Sequence, residues 1–406
     1  MPSGTTSSLP VSYHGAVIWK YMMKIASDLQ TEMSRLLLRH YAPWDCPIMK
    51  LHVVFFIAAV LLSARPVAAS ENIRVAIADD QRTVSLRSVA GLLVAGQSSG
   101  VFEKNLSFGP ASVGSRPIRI RSVTDPAQVN GKSYRGWVEL RKKKNGLLLV
   151  INELDIEDYL KGVVASEVPN DWEFEALKAQ AVAARTYALY QKRAMAGRPY
   201  HILATVSSQV YNGSNGERAH AVRAVRETKG IVIAYQGKVI PAFYHSSCGG
   251  HTENASELWG IDMPYLKGVD CECQEIVKQG LWEKRISASA VTKALRRMGY
   301  QVGGFSEMSI ENITPAGRVK RVTVRSAGRT TVVPGEAFRL ALGSTVIPSV
   351  FFELELVAGE AVFSGRGSGH GVGLCQWGAK EMAEKGNDYK AILSHYYPGT
   401  CLLQLK

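Results

Sequence analysis

DIEDYLKGVVASEVPNDWEFEALKAQAVAARTYALY, residues 155–190, reads as two helices joined by a proline turn, and the fold is built outward from that pair. Asp155 has the side chain of an N-cap for a short first helix, with Asp158 three residues on and Leu160, Val163 and Val164 along its apolar side. Pro169 stops that helix, because a residue preceding proline is pushed out of the helical region. Asn170 and Glu173 have capping-box spacing for a second, longer helix that carries Phe174, Leu177, Ala181, Ala184 and Ala188 at core spacing. Glu167 falls in the bend, beside Val163, Val164 and Val168. Burial there would raise its pKa and keep it protonated near neutral pH, the state a general acid needs. Taken alone, a glutamate in such a turn is more often a cap or a surface charge.

On the N-terminal side the pattern is β-rich. IRVAIA, GLLVAG and RPIRIRSV are short strands, and WVELRKKKNGLLLVI is a hairpin turning at Asn145 and Gly146. On the C-terminal side, residues 217–229 read as an amphipathic helix closed by Gly230, IVIAYQGKVIPAFYH as a hairpin turning at Gln236 and Gly237, and residues 287–299 as another helix. VKRVTVRSAGRTTVV is a further hairpin, and FFELELVAGEAVF gives strands before a glycine-rich loop and a helix that stops at Gly386. Strands and helices come in clusters without strict βαβ alternation. The expected class is therefore α+β, with mixed or antiparallel sheets, packed helices, and one large domain whose N-terminal part is β-rich.

The chain has 406 residues, and its 46% hydrophobic content is enough for a core. Residues 49–69 read as a secretory signal peptide: Lys50, an apolar stretch from Val53 to Leu62 too short to span a bilayer comfortably, and small residues Ala68 and Ala69 at the cleavage point. Residues 1–48 are then a leader, either disordered or upstream of a translation start at Met49. After them come a β-rich region, 70–130, and the main domain, 131–406. The expectation is an exported protein, periplasmic or in the cell wall, with no transmembrane helix in the mature form. The net charge is +13, and losing residues 1–69 would remove six basic and three acidic side chains, so the exported form stays strongly cationic. That suits a polyanionic partner. Nucleic acid is disfavoured, because no stretch interleaves basic and aromatic residues as a stacking groove would.

Two constellations carry chemistry. His245, Cys248 and His251 recur at three-residue intervals in YHSSCGGHTE, and Cys271 and Cys273 follow about twenty residues later. Thiolates and imidazoles so placed can hold zinc tetrahedrally; in an exported protein Cys248 can equally form a disulfide with Cys271 or Cys273, and spacing leaves both open. Setting Cys46 aside leaves five cysteines, so at least one thiol is free or metal-bound. GRGSGHGVGLCQWGAKEMAEKG surrounds His370 with glycines directly before a helix. Such glycines allow either close approach of a ligand to the backbone or tight packing against a sheet. With neither a GK[ST] sequence nor a Rossmann-type unit before it, the loop is not a nucleotide site.

GVVASEVP followed by WEFEALKAQAVAARTYA resembles the core motif of the stage II sporulation protein D family, and HSSCGGHTE, SSQVYNG, the glycine-rich segment and HYYPGT resemble its later blocks. The likeness extends over roughly residues 130–405. It implies a peptidoglycan lytic transglycosylase acting on glycan strands, with Glu167 catalytic. It also implies Lys178, His370 and Gln376 as cleft residues toward substrate; Arg185, two turns beyond Lys178 on the same face, reads from its spacing as a structural or substrate-facing cation. Zinc is implied as a structural ion, not one the chemistry requires. Cys375 stands where many members carry serine, which argues against a nucleophilic thiol. An amidase or another wall hydrolase is the implied protein partner. Three rivals stay open: a muramidase pairing Glu167 with Glu257 or Asp270, a zinc hydrolase centred on Cys248 and His251, and a non-catalytic wall-binding modifier of an autolysin.

Overall fold

The alternation read in the N-terminal stretch becomes a nine-stranded sheet in the computed structural model, which describes residues 71–96, 102–124, 126–271, 273, 280–326 and 328–405. The expected leader, signal peptide and Cys46 lie outside the described residues. Strands β1 (Asn72–Gln81), β2 (Val84–Val94), β3 (Glu103–Phe108), β4 (Ile118–Ser122), β5 (Ala127–Val129), β6 (Lys132–Tyr134), β7 (Trp137–Lys142) and β8 (Leu148–Asp155) pair antiparallel. Short β9 (Ile202–Leu203) adds in parallel beside β1. Sheet order is β6-β5-β2-β4-β7-β8-β1-β9, with β3 on β2. The boundary drawn at residue 130 falls inside the β5–β6 hairpin, where Val129 pairs with Lys132.

Against this sheet pack helices α1 (Ile156–Glu167) and α2 (Phe174–Ala194). Asp155 caps α1 as expected, accepting from the Glu157 amide at 2.7 Å, and Val168, extended before Pro169, ends it. The capping box is not formed. Pro169 to Trp172 close a turn of their own (Trp172 N to Pro169 O, 3.4 Å), which moves the start of α2 so that Glu173 is the N-cap residue and makes no side-chain cap. Helix α2 is buried almost all round, because Ala176, Ala179, Ala181, Ala183, Ala184 and Ala188 let neighbours approach from every side. Those neighbours are α1, α3 (Ala219–Glu227), β10 (Ile231–Tyr235) and two C-terminal helices described below. The predicted turn at Gln236 and Gly237, both at positive φ, leads into β11 (Lys238–Val239).

At β12 (Tyr244–His245) the chain leaves this body for a long excursion and returns at β19 (Leu374–Cys375), which pairs with β12 in parallel. The excursion begins with α4 (Ala255–Trp259) and then builds a second core. This core has two three-stranded antiparallel sheets: β13 (Leu281–Ser287) with β17 (Phe352–Val357) and β18 (Glu360–Arg366), and β14 (Glu307–Ile313) with β15 (Val319–Ser326) and β16 (Arg329–Pro334). Helices α5 (Ala288–Arg297) and α6 (Gly335–Leu342) complete it. Val322, Val324, Val333, Phe338, Phe352 and Phe363 fill the interior. After β19 come α7 (Gln376–Glu384), α8 (Tyr389–Tyr396) and β20 (Cys401–Gln404), which closes on β10. The class is α+β, as expected. Among the described residues no helix is long and apolar enough to cross a membrane.

Candidate active site

Glu167 is the last residue of α1, and three donors from distant segments meet its carboxylate. The Val210 amide donates to Oε1 at 2.8 Å and the Tyr244 hydroxyl to the same oxygen at 3.3 Å; Gln376 Nε2 reaches Oε2 at 3.5 Å. Tyr244 is itself fixed. Gln209 donates to its hydroxyl at 3.0 Å and to the Ala184 carbonyl at 3.2 Å, while accepting from Tyr159 at 3.0 Å. Because Gln209 supplies the proton of that bond, the Tyr244 proton is free to point at Glu167. Burial pushes the Glu167 carboxyl above its usual range, and the three donors pull it partly back. The residue as a whole is half-buried. Aromatic Trp172 and Trp377, ring centroids 4.8 Å apart, come from the turn after Glu167 and from the residue after Gln376.

Of the other expected cleft residues, only Gln376 meets Glu167. Lys178 is engaged on the side of α2, with Glu175 at 2.9 Å and Glu227 at 3.2 Å, and its ammonium lies over the Phe174 ring at 4.7 Å. Arg185 is not substrate-facing. It is 1% exposed and clamps Glu157 through two 2.8 Å bonds, with its remaining donors on the Val225 and Ile231 carbonyls and Thr228. His370 accepts from the Val372 amide at 3.1 Å and also bonds the Tyr244 backbone; burial holds its pKa down to about 3, so it is neutral and committed to the fold. The glycines beside it serve packing, not ligand approach. A Cβ at Gly369 would lie 2.7 Å from His245 Cβ, and one at Gly371 2.5 Å from Arg318 Nε, both at positive φ.

The metal-ligand expectation changes membership. Cys248, Cys271, Cys273 and Cys375 are buried free thiols whose sulfurs all lie within 4.8 Å of one another. His245 and His251 are outside this group. His245 turns Nδ1 to the Val372 carbonyl at 3.1 Å and packs its ring at a tilt against His370, centroids 5.5 Å apart, and His251 contacts the Thr252 carbonyl. Zinc–thiolate bonds of about 2.3 Å set tetrahedral sulfur–sulfur edges of about 3.8 Å, and Cys248 and Cys273 stand 3.6 Å apart. Donors also aim at the sulfurs: the Cys248 and Gly378 amides at Cys375 (3.3 and 3.4 Å) and the Tyr396 hydroxyl at Cys271 (3.2 Å). The donor set therefore fits a zinc ion.

A family model described as stage II sporulation protein matches residues 144–235, the segment holding α1, α2 and Glu167. Stage II sporulation protein D of Bacillus subtilis is 32% identical over 272 residues, covering 62% of this chain and 75% of that protein. This chain belongs to the stage II sporulation protein D family. An uncharacterized protein of Brachyspira hyodysenteriae is 37% identical over 277 residues, 68% of this chain and 73% of its own length. The amidase enhancer of B. subtilis is 31% identical over 330 residues, 69% of this chain, which spans 45% of that relative. A second model, a domain of unknown function (DUF8618), matches residues 259–373, most of the excursion between β12 and β19. Sequence reading did not single out Gln209, Tyr244 or the Val210 amide. SSQVYNG and YHSSCGGHTE held the two side chains in plain view, but a backbone donor has no sequence signature.

Proposed function

We propose that this family member acts outside the cytoplasm on cell-wall peptidoglycan, as a lytic transglycosylase with Glu167 as the single acid and base. One observation carries the reading: a desolvated carboxyl with a raised pKa whose partners among the described residues are donors and not a second carboxylate. Glu257 is held by Lys320 at 2.8 Å and the Asp270 side chain stands 98% in solvent, so neither is poised as the second acid of a muramidase. Glu167 in its acid form gives its proton to the glycosidic oxygen as the C1–O bond breaks. The sugar's own C6 hydroxyl closes on C1 to form the 1,6-anhydro ring. Its proton passes to the Glu167 carboxylate, which restores the acid without water. The Val210 amide, Tyr244 and Gln376 stabilise that carboxylate while it is charged. Zinc bound by the four cysteines would act as a structural cross-link, because four protein ligands leave no open position for water or substrate; the zinc-hydrolase rival loses its footing with that.

The test is mass spectrometry of products from peptide-free strands and from whole sacculi digested with residues 70–406, beside Glu167→Gln. The expected result is 1,6-anhydromuramic ends from the unmodified protein and none from the variant. Their absence from both substrates with the unmodified protein would sink the reading. One observation favours a second one: the relative named amidase enhancer, which suggests a modifier that acts through a partner amidase. On that reading Glu167→Gln leaves stimulation of a wall amidase intact.

A further inference from the structure

The cysteine cluster sits at the neck of the excursion, and its position is what makes it informative. Cys248 lies three residues past β12, Cys271 and Cys273 follow α4, and Cys375 ends β19 and caps α7. The two sides of the neck run together through Ser247 and Ser368, bonded in both directions at 3.0 and 2.8 Å, and through the Trp377 amide on the Ser246 carbonyl at 3.1 Å. The residue after Cys375 is Gln376, which reaches Glu167.

We propose that Cys248, Cys271, Cys273 and Cys375 bind one zinc ion as a four-thiolate site, and that this ion locks the neck and seats Gln376 against Glu167. The coupling to Glu167 rests on the functional reading above; the metal site does not. Sulfurs within 4.8 Å of one another leave room for a single ion and not for a polynuclear cluster. Four thiolates around zinc carry excess negative charge, and three features answer it. The Cys248 and Gly378 amides donate to Cys375. Cys375 stands at the positive N-terminal end of α7. The buried Arg318 guanidinium, 1% exposed, bonds the Cys248 and His251 carbonyls at 2.6 and 2.9 Å. Gly378 has to be glycine for the same reason, since a Cβ would strike Cys271 Sγ and the Tyr396 hydroxyl. Cys375 thus does what no serine could: it supplies the fourth sulfur, and with it the only ligand on the helix that bears Gln376.

The experiment uses residues 70–406 purified without chelators, with zinc measured by elemental analysis and the site reloaded with cobalt(II). The expected result is one zinc per chain and a cobalt spectrum with the near-ultraviolet charge-transfer intensity of four thiolates. Cys375→Ser should lose most of its zinc, and any cobalt complex it forms should show about a quarter less charge-transfer intensity. His245→Ala and His251→Ala should keep both zinc and the full band. Alkylation of the native protein should label only Cys401, with the other four protected until zinc is stripped. Metal-free native protein with disulfides among these cysteines would overturn the proposal. So would zinc lost in His251→Ala and kept in Cys375→Ser. For the coupling, Cys375→Ser and Gln376→Ala should both shift the pH profile of anhydro-end formation in the same direction, and an unshifted profile in Cys375→Ser would overturn it. A protein that binds zinc with four thiolates and never cleaves glycan leaves the site standing while the transglycosylase reading fails.

Discussion

At Glu167 two effects oppose each other, and pH separates them. Burial raises the carboxyl's pKa, while Val210, Tyr244 and Gln376 favour its charged form. With a folded-state pKa above the unfolded one, Glu167 contributes stability at low pH, and that contribution is lost as pH rises through the raised value. Glu167→Gln, which cannot ionise, should therefore withstand more urea than the unmodified protein at pH 8, with the gap closing toward pH 4; equal midpoints at both pH values would contradict the desolvation. Catalysis needs the protonated form, so the cleavage rate should fall on the alkaline side. Tyr244→Phe removes one donor and should move that limb to higher pH while lowering the maximal rate. A limb that stays put would mean Tyr244 does not act on Glu167. The acid was legible from its turn and its motif. Two of its partners were not, because Val210 and Tyr244 reach it from segments whose local pattern records only turns and strands.

Among the elements, the α1–α2 pair is held by the buried ion pair of Arg185 with Glu157, which fills the structural one of the two roles that spacing left open for Arg185. Glu157 lies ten residues before Glu167 on α1, nearly three turns away, and Arg185 reaches it from α2. Breaking a buried pair from one side strands a charge, so Arg185→Ala should cost about 3 to 5 kcal/mol in urea unfolding. Activity per folded molecule should be kept. Gly162 tests how α1 sets the acid: a Cβ there would lie 2.7 Å from the Gly213 carbonyl and 2.9 Å from the Tyr211 ring. Gly162→Ala should push α1 outward, lowering both stability and cleavage. Helix ends marked by caps were legible, as Asp155, Gly230 and Gly386 show. The Asn170 cap was misread because Pro169 first makes a turn. Helices α6 and α8 were passed over, although Asp388 caps α8 by accepting from Ala391 at 2.8 Å.

For the whole molecule, hydrophobic periodicity told which faces are buried and not which of two cores buries them. Val322 and Val324 alternate as clearly as Val138 and Leu140, yet the two pairs belong to different interiors. The cluster's fourth cysteine was hidden for a related reason: Cys375 is 127 residues from Cys248, and spacing rules see only neighbours in sequence. The net charge of +13 is a property of the chain as a whole. Binding to sacculi should weaken as ionic strength rises from about 0.1 M to about 1 M and the screening length shrinks from about 10 Å to about 3 Å; salt-independent retention would point to contacts other than charge. The parallel pairing of Tyr244 with Leu374 also has a kinetic meaning. Two-residue strands joined across so long a loop cannot hold each other until the intervening chain has folded and brought their ends together. Gln376 then arrives at Glu167 late in folding, so a chain released before its C-terminal segment is complete carries the acid without its last donor.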